Sequence, residues 1–237
     1  MRQVLPDRLL RRSAFRCSTA PMSIRKPLLA MVVVSALAVL AGGAGSASAA
    51  SYFHAGTAMG NHLANGDTVS TRAAGTFSLT VTTVGNINCS QLSGSYTVGA
   101  SGGATVAVSL ATWNATTCTD TVPVLTFTGC AATAPLPAGT ATGTGAAGGT
   151  VAFTNLYVRC AVMGTTNACY YRDAAANGTY ANMGATLTFT NDVMVHNAPG
   201  GTTDDIGILC GNGGTMSATL ADQATAAGTT VLLNNVN

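Results

Sequence analysis

The sequence contains no glutamate, and its single lysine, Lys26, lies near the N-terminus. From residue 50 onward the charged side chains are three arginines and seven aspartates, which give this part a formal charge of −4. The absence of Lys and Glu from this part disfavours solvent-facing helices, because these residues usually fill the exposed helical positions. The absence of a basic patch argues against nucleic acid and anionic lipid as partners, since both are bound through clustered Lys and Arg.

Residues 22–49 have the three parts of a secretory signal peptide. A basic start at Arg25 and Lys26 precedes an apolar run over 28–41, and small residues lead to an expected cleavage site after Ala49. The apolar run is shorter than the roughly twenty residues that span a bilayer, so we expect no integral membrane anchor in the mature form. The sequence therefore predicts a secreted, extracellular or envelope-associated protein.

Met22 is a better start for this signal than Met1, so residues 1–21 are interpreted as a non-physiological extension. Arg11 and Arg12 leave a twin-arginine signal as the alternative. After cleavage we expect a flexible mature N-terminus over 50–74 and a single domain over 75–237.

Polar and apolar residues alternate through the mature region, which is typical of strands because successive strand residues point to opposite faces. Gly- and Asn-rich turns separate these segments, so the predicted fold is an all-β antiparallel sandwich or jelly roll of about ten strands. The best helical segment is a short one over 218–227. The predicted strands are 77–82, 95–98, 105–110, 122–128, 151–158, 168–172, 185–191, 206–210, 215–220 and 229–233.

The alternation also predicts which side chains form the core and which face solvent. The opposite faces would form a neutral, hydroxyl-lined surface, the sheet face on which we expect any function to lie. The predicted core is Phe77, Leu79, Val81, Val106, Val108, Leu110, Leu125, Phe127, Phe153, Tyr157, Leu187, Phe189 and Leu220. The predicted hydroxyl face is Ser78, Thr80, Thr82, Thr126, Thr128, Thr186, Thr188 and Thr190.

Six cysteines remain after removal of the leader, an even number that predicts three disulfides in a secreted chain. Zinc is the alternative, but the closely spaced cysteine pairs typical of zinc sites are missing. Sequence alone does not choose among the fifteen pairings that six cysteines allow. The cysteines are Cys89, Cys118, Cys130, Cys160, Cys169 and Cys210.

Two glycine motifs match catalytic or cofactor patterns but stand in the wrong context. Residues 99–103 match G-x-S-x-G around Ser101, with His196 and Asp204 or Asp205 as the available triad partners. A predicted strand follows instead of the helix that this motif requires. Residues 143–148 match G-x-G-x-x-G, but they also run into a strand, so no nucleotide cofactor is predicted.

Candidate metal ligands are few. Asp204 and Asp205, with Asp192 and Asn197 as additional ligands, are weak candidates for calcium, because the alternating acidic pattern of an EF-hand loop is missing. The three histidines show no metal-ligand spacing and are interpreted as surface residues. We therefore predict no metal cofactor.

Trp113, the only tryptophan, precedes polar residues that include Asn114 and Thr116. If exposed, it would provide a ring for stacking a sugar beside amide and hydroxyl groups; the alternative is a core or rim tryptophan. These three residues are the candidate glycan-binding site.

Strand-plus-cysteine patterns within 85–220 resemble small, uncharacterised secreted β proteins of actinobacteria. The residues concerned are Cys89 with 92–94, the run 125–130, and 187–189 followed by 206–210. The resemblance implies no activity. The usual four cysteines of that family imply pairing of Cys89 with Cys130 and of Cys169 with Cys210, to which Cys118 and Cys160 are additional.

The sequence thus predicts a non-catalytic domain with a structural, adhesive or surface-binding role. Its expected partner is a cell-wall or extracellular glycan or a protein, and its oligomeric state is not indicated. A carbohydrate-binding module is the first alternative. A secreted hydrolase centred on Ser101 and an oligomeric pore are the others; a pore needs strands of about ten residues with an apolar band facing lipid.

Overall fold

The computed structural model describes residues 49–57, 61–82, 85–121 and 125–236. The predicted extension and all but the last residue of the predicted signal peptide lie outside the described residues. The described part is all-β, with one short 3-10 helix, Gly207–Cys210, as its helical element. The strands are β1 (Ala50–Ala55), β2 (Thr68–Val81), β3 (Gly85–Val98), β4 (Val106–Asp120), β5 (Phe127–Ala132), β6 (Ala138–Gly143), β7 (Gly148–Val162), β8 (Ala168–Ala181), β9 (Thr186–His196), β10 (Gly213–Thr225) and β11 (Val231–Val236).

The main sheet closes into an eight-position antiparallel barrel. Around the barrel the order is β3, β2, β10, β9, β8, β7, β5 and β4, and β4 pairs again with β3. β5 and β6 share one position, because β4 and β7 each pair with β5 near one end and with β6 near the other.

The predicted sandwich or jelly roll is therefore wrong. Alternation and turn spacing are the same in a sandwich and in a barrel, and neither shows which distant strands pair. Closure depends on β2 pairing with β10, which is far away in the chain. The strands are also longer than predicted: β4 and β7 each have 15 residues.

The interior of the barrel is filled by apolar side chains. Every predicted core residue is buried except Leu125 and Tyr157, which are partly exposed. Aromatic rings meet at the centre, where the Trp113 and Phe189 centroids lie 5.9 Å apart in a stacked arrangement. Phe77 meets the same Trp113 ring edge-on at 6.1 Å. The barrel is thus a packed core and not a channel.

Tyr157 points outward because the inward and outward alternation of β7 breaks before it, as it does in the facing part of β8. Thr154 and Asn155 are both exposed, Asn155 has a φ of 57°, and alternation resumes with Leu156 inside. Two consecutive outward residues exchange the two faces of the strand beyond them, because side chains alternate with a period of two. The interpretation of Tyr157 as a core residue is therefore wrong, and Leu156 and Val158 take its place.

One end of the barrel, which carries the hairpin loop 99–105 and the turn 182–185, is covered by β1 paired with β11. We call it the capped end. Ser51 donates a 2.8 Å hydrogen bond to the Ala104 carbonyl and accepts one from the Gly143 amide. The buried Phe53 contacts Tyr96 and Tyr180. The segment 50–74, predicted to be flexible, thus contains β1 and the start of β2.

The opposite end carries the turn 163–167 and the loop 197–212, and we call it the disulfide end. Three disulfides, as predicted, join Cys89 to Cys118, Cys130 to Cys160 and Cys169 to Cys210. The pairing of Cys89 with Cys130 implied by the resemblance is wrong, whereas the pairing of Cys169 with Cys210 agrees.

One predicted strand and the best helical segment differ from the structure. Residues 206–210 were expected to form a strand, but 207–210 form the 3-10 helix and Ile208 is 91% exposed. The best helical segment in the sequence, 218–227, is not helical, because β10 continues to Thr225. Pairing with β2 and β9 holds this segment in the sheet regardless of its local helix preference.

Candidate ligand-binding groove

The outer surface of the barrel carries aligned rows of hydroxyl side chains. All members of the predicted hydroxyl face are exposed or partly exposed, so that prediction is confirmed. This surface differs from the apolar band that the pore alternative requires. One row of directly opposed residues crosses six strands and consists of Thr142, Thr150, Thr179, Thr188, Thr219 and Thr76.

A groove of about 490 Å³ lies where this surface crosses β9, β10, β2, β3 and β4. Hydroxyl or amide side chains form most of its lining, and none of the lining residues carries a charge. The polar lining residues are Thr76, Ser78, Asn88, Ser90, Thr117, Thr119, Thr188, Thr190, Ser217 and Thr219. The other lining residues are Phe77, Cys89, Phe189 and Ala218.

The groove lies beside an irregular part of β2. The register between β2 and β3 shifts on both sides of Gly75, and such bulges bend a strand. A Cβ atom at Gly75 would lie 1.8 Å from the Thr219 carbonyl oxygen, so only glycine lets β10 approach this closely. The next residue, Thr76, lines the groove.

The groove is suited to hydrogen bonding with a neutral ligand. Ser78 donates a 2.7 Å hydrogen bond to the Asn88 side-chain oxygen, which fixes the orientation of that amide. Ser78 and Asn88 belong to a second row of opposed polar residues. Thr119 and Ser217 extend it on either side, because Asn88 lies opposite Thr119 and Ser78 lies opposite Ser217. Hydroxyl groups both donate and accept hydrogen bonds, and the methyl groups of threonine add small apolar contacts.

The predicted glycan site around Trp113 is not assembled. Trp113 is 4% exposed and stacks on Phe189 inside the barrel, whereas Asn114 is exposed on the outer face. The register shifts beside Thr112, so the inward series of β4 passes from Leu110 to Trp113. Asn114 and Thr116 instead line a separate concavity of about 330 Å³.

The predicted calcium ligands do not converge on one point, because each aspartate contacts other groups of the protein. Asp204 accepts hydrogen bonds from Arg159 and from the Tyr170 hydroxyl, which lies 2.7 Å away. The Arg159 hydrogen bond, followed by that of Tyr170, lowers the pKa of Asp204. Asp205 lies 3.0 Å from the His196 ring.

Asp192 lies on β9 and not in the loop 197–212 that holds Asp204 and Asp205. It accepts a 3.2 Å hydrogen bond from the Asn177 amide. Burial, followed by the charge of Asp173, raises the pKa of Asp192 to about 6. Burial also raises the pKa of Asp173 itself. The sequence reasoning did not single out Asp173, because nothing in its local pattern shows that it faces the barrel interior.

The Ser101 hydrolase is not supported by the positions of its residues. Ser101 is exposed in the hairpin loop of the capped end, while His196, Asp204 and Asp205 lie at the disulfide end. Residues 143–148 form the antiparallel connection between β6 and β7 and do not open a helix.

Two of the three histidines lie together at the capped end. His54 is buried in β1, contrary to the predicted surface position, and its ring centroid is 4.7 Å from that of His62. Tyr52 stacks on His62 at 3.9 Å. At the other end, His196, Asp205 and Cys210 are close, but the Cys210 sulfur is bonded to Cys169 and offers no thiolate.

Comparison with protein-family models, curated proteins and solved structures finds no match. The resemblance to secreted actinobacterial β proteins therefore stays a prediction. Within the described residues, no helix is long and apolar enough to cross a membrane.

Proposed function

We propose that this protein is an exported, non-catalytic β-barrel domain that binds a neutral glycan of the cell envelope or extracellular medium through the outer groove. Its role is adhesion to surfaces that display this glycan. The single observation that carries the proposal is the groove itself, with ten Ser, Thr and Asn residues from five neighbouring strands and no charged residue in its lining.

The chemistry of the lining supports a neutral polyhydroxylated ligand. A sugar presents many hydroxyl groups that donate and accept, and the Ser, Thr and Asn side chains of the groove can do both. An anionic ligand would find no cationic side chain in the lining. The lining also lacks a base or a free thiol, because Cys89 is bonded to Cys118, which favours binding over catalysis.

Two features support export. Residues 22–49 have the order of a signal peptide, and the three disulfides are of the kind that persists in oxidising compartments. If the proposal is correct, N-terminal sequencing of the protein recovered from culture medium or cell wall will begin at Ala50.

The binding test uses insoluble neutral polysaccharides (cellulose, chitin, xylan and β-glucan) in pull-down assays, and affinity electrophoresis with soluble forms. The key variant is Thr188→Val with Thr219→Val, which removes two directly opposed hydroxyl groups and keeps their shape. Each lost hydrogen bond costs about 1 kcal/mol, so affinity should fall roughly tenfold or more.

The matched control is Thr150→Val with Thr179→Val, an equally opposed threonine pair in the same row but outside the groove. It should bind like the wild type. An equal loss in both double variants, or no retention on any of the polysaccharides, would refute the groove as a glycan site.

A further inference from the structure

Two carboxylates face the interior of the barrel at the same level of its wall. Asp173 lies directly opposite Leu156, and Asp192 lies directly opposite Met216. Both of these apolar partners are fully buried. Directly opposed residues of a ladder point to the same face, so both carboxylates are on the inner side.

The wall is irregular at this level. β7 and β8 each have two consecutive exposed residues there, at 154–155 and 174–175, and β9 has the same break at 190–191. The ladder between β8 and β9 stops after Arg172 opposite Val195 and resumes at Gly178 opposite Phe189. Asp173 and Asp192 lie inside this interruption.

Each carboxylate uses one oxygen to bind a backbone amide of β8. Asp173 Oδ1 accepts from Ala175 at 2.8 Å, and Asp192 Oδ2 accepts from Asn177 at 3.2 Å. These two amides are two residues apart in one strand, roughly 6–7 Å. The two carboxylates are therefore neighbours.

The second oxygen of Asp173 is the unusual one. Asp173 is only 5% exposed, and its Oδ2 is buried without a hydrogen-bond partner. A buried carboxylate oxygen without a partner is costly, more so beside a second carboxylate. A proton, a bound water or a cation would satisfy it.

The described residues provide no cationic side chain for this pair. Arg72 binds Asp222 and Arg159 binds Asp204. Arg172 directs its guanidinium to the side-chain oxygen of Asn155. No lysine occurs after Lys26. Within 50–237 every arginine thus already has another partner.

We propose that Asp173 and Asp192 form a calcium site in the interrupted part of the β8–β9 wall, with Asp173 Oδ2 and the Asp192 carboxylate as protein ligands. Calcium fits because the donors are oxygens only, and because it accepts irregular geometry with water in the remaining positions. Neither Asp204 nor Asp205 takes part. This inference is independent of the glycan groove.

The test is calorimetric titration of the oxidised, chelator-treated protein with calcium chloride, together with its melting temperature in calcium and in EDTA. At about 10 mM calcium, above the dissociation constants of weak extracellular sites, the melting temperature should rise by roughly 5 °C or more. Asp192→Asn should abolish both the heat of binding and the rise. Asp173→Asn should do the same, so the test remains possible if one of the two variants fails to fold.

The matched control is Asp67→Asn, which alters an exposed carboxylate that also binds a backbone amide, that of Ala64. It should keep the full calcium response. The proposal is overturned if the wild type shows neither heat nor a shift in melting temperature, because the buried oxygen is then satisfied without calcium. A response that persists in both Asp→Asn variants, or an equal response to magnesium, also overturns it.

Discussion

The two ends of the barrel are held by different kinds of interaction. At the capped end, β1 and β11 close the barrel through buried side chains such as Phe53 and through the Ser51 hydroxyl, which donates to Ala104 and accepts from Gly143. Asn182 adds hydrogen bonds to the backbone of Leu233. At the disulfide end, the loop 197–212 is tied by the disulfide from Cys169 to Cys210 and by charged side chains.

The difference follows from what each segment can bury. β1 and β11 alternate, so each contributes apolar side chains to the core, as Phe53 and Leu233 show. The loop 197–212 leaves Ile208 and Leu209 exposed and therefore gains little from burial. A segment that buries little apolar surface cannot offset its ordering entropy and needs cross-links instead. The two ends should consequently respond to different perturbations.

Phe53→Ala should have the largest effect. The ring is 1% exposed between Tyr96 and Tyr180, so its loss leaves a cavity and should lower the free energy of unfolding by about 3–5 kcal/mol. Urea unfolding followed by the fluorescence of Trp113 measures this. Met183→Ala, at the same end but 93% exposed, should change stability by less than about 0.5 kcal/mol. Equal effects would show that β1 does not close the core.

Cys169→Ala with Cys210→Ala tests the other end. Removing this cross-link between residues separated by 41 positions should cost about 2–4 kcal/mol. Amide hydrogen exchange should become faster in 197–212 and stay unchanged in β1 and β11. If the exchange of β1 accelerates equally, the two ends are not independently held and the comparison fails.

Sequence reasoning succeeded where the alternation is uninterrupted. From Phe77 to Val81 and from Val106 to Leu110 each side chain has the predicted face, because a strand of regular pleat fixes it. It failed beyond each break in the alternation. Tyr157 and Trp113 both follow such a break, and no local signal at Asn155 or Thr112 shows where the pleat is broken.

In the candidate sites too, the features that follow from regular alternation were predictable and those that depend on irregularities were not. The hydroxyl surface was predictable because it is the opposite face of regular strands, but the close approach of β10 at Gly75 beside the groove leaves no signal in the alternation. Asp173 was missed because its inward position depends on paired irregularities in β7 and β8. Barrel closure was missed because alternation does not identify distant strand partners.

The smallest effect is expected from removing the charge of Asp204, the aspartate that binds Arg159 at the disulfide end, and this effect should depend on pH. Hydrogen bonds from Arg159 and then Tyr170 lower the pKa of Asp204 below its usual 3.8. Asp204 therefore stabilises the fold above about pH 4, and this contribution is lost as the pH falls through the lowered pKa. Asp204→Asn should cost about 1 kcal/mol or less at pH 6 in urea unfolding, and the difference from wild type should shrink toward pH 2.

The matched control at the capped end is Asp222→Asn, which removes the more exposed pair with Arg72 and should cost less at pH 6. A cost for Asp204→Asn that stays constant down to pH 2 would mean that the charge of Asp204 does not hold the loop, and would leave the disulfide as its main tie.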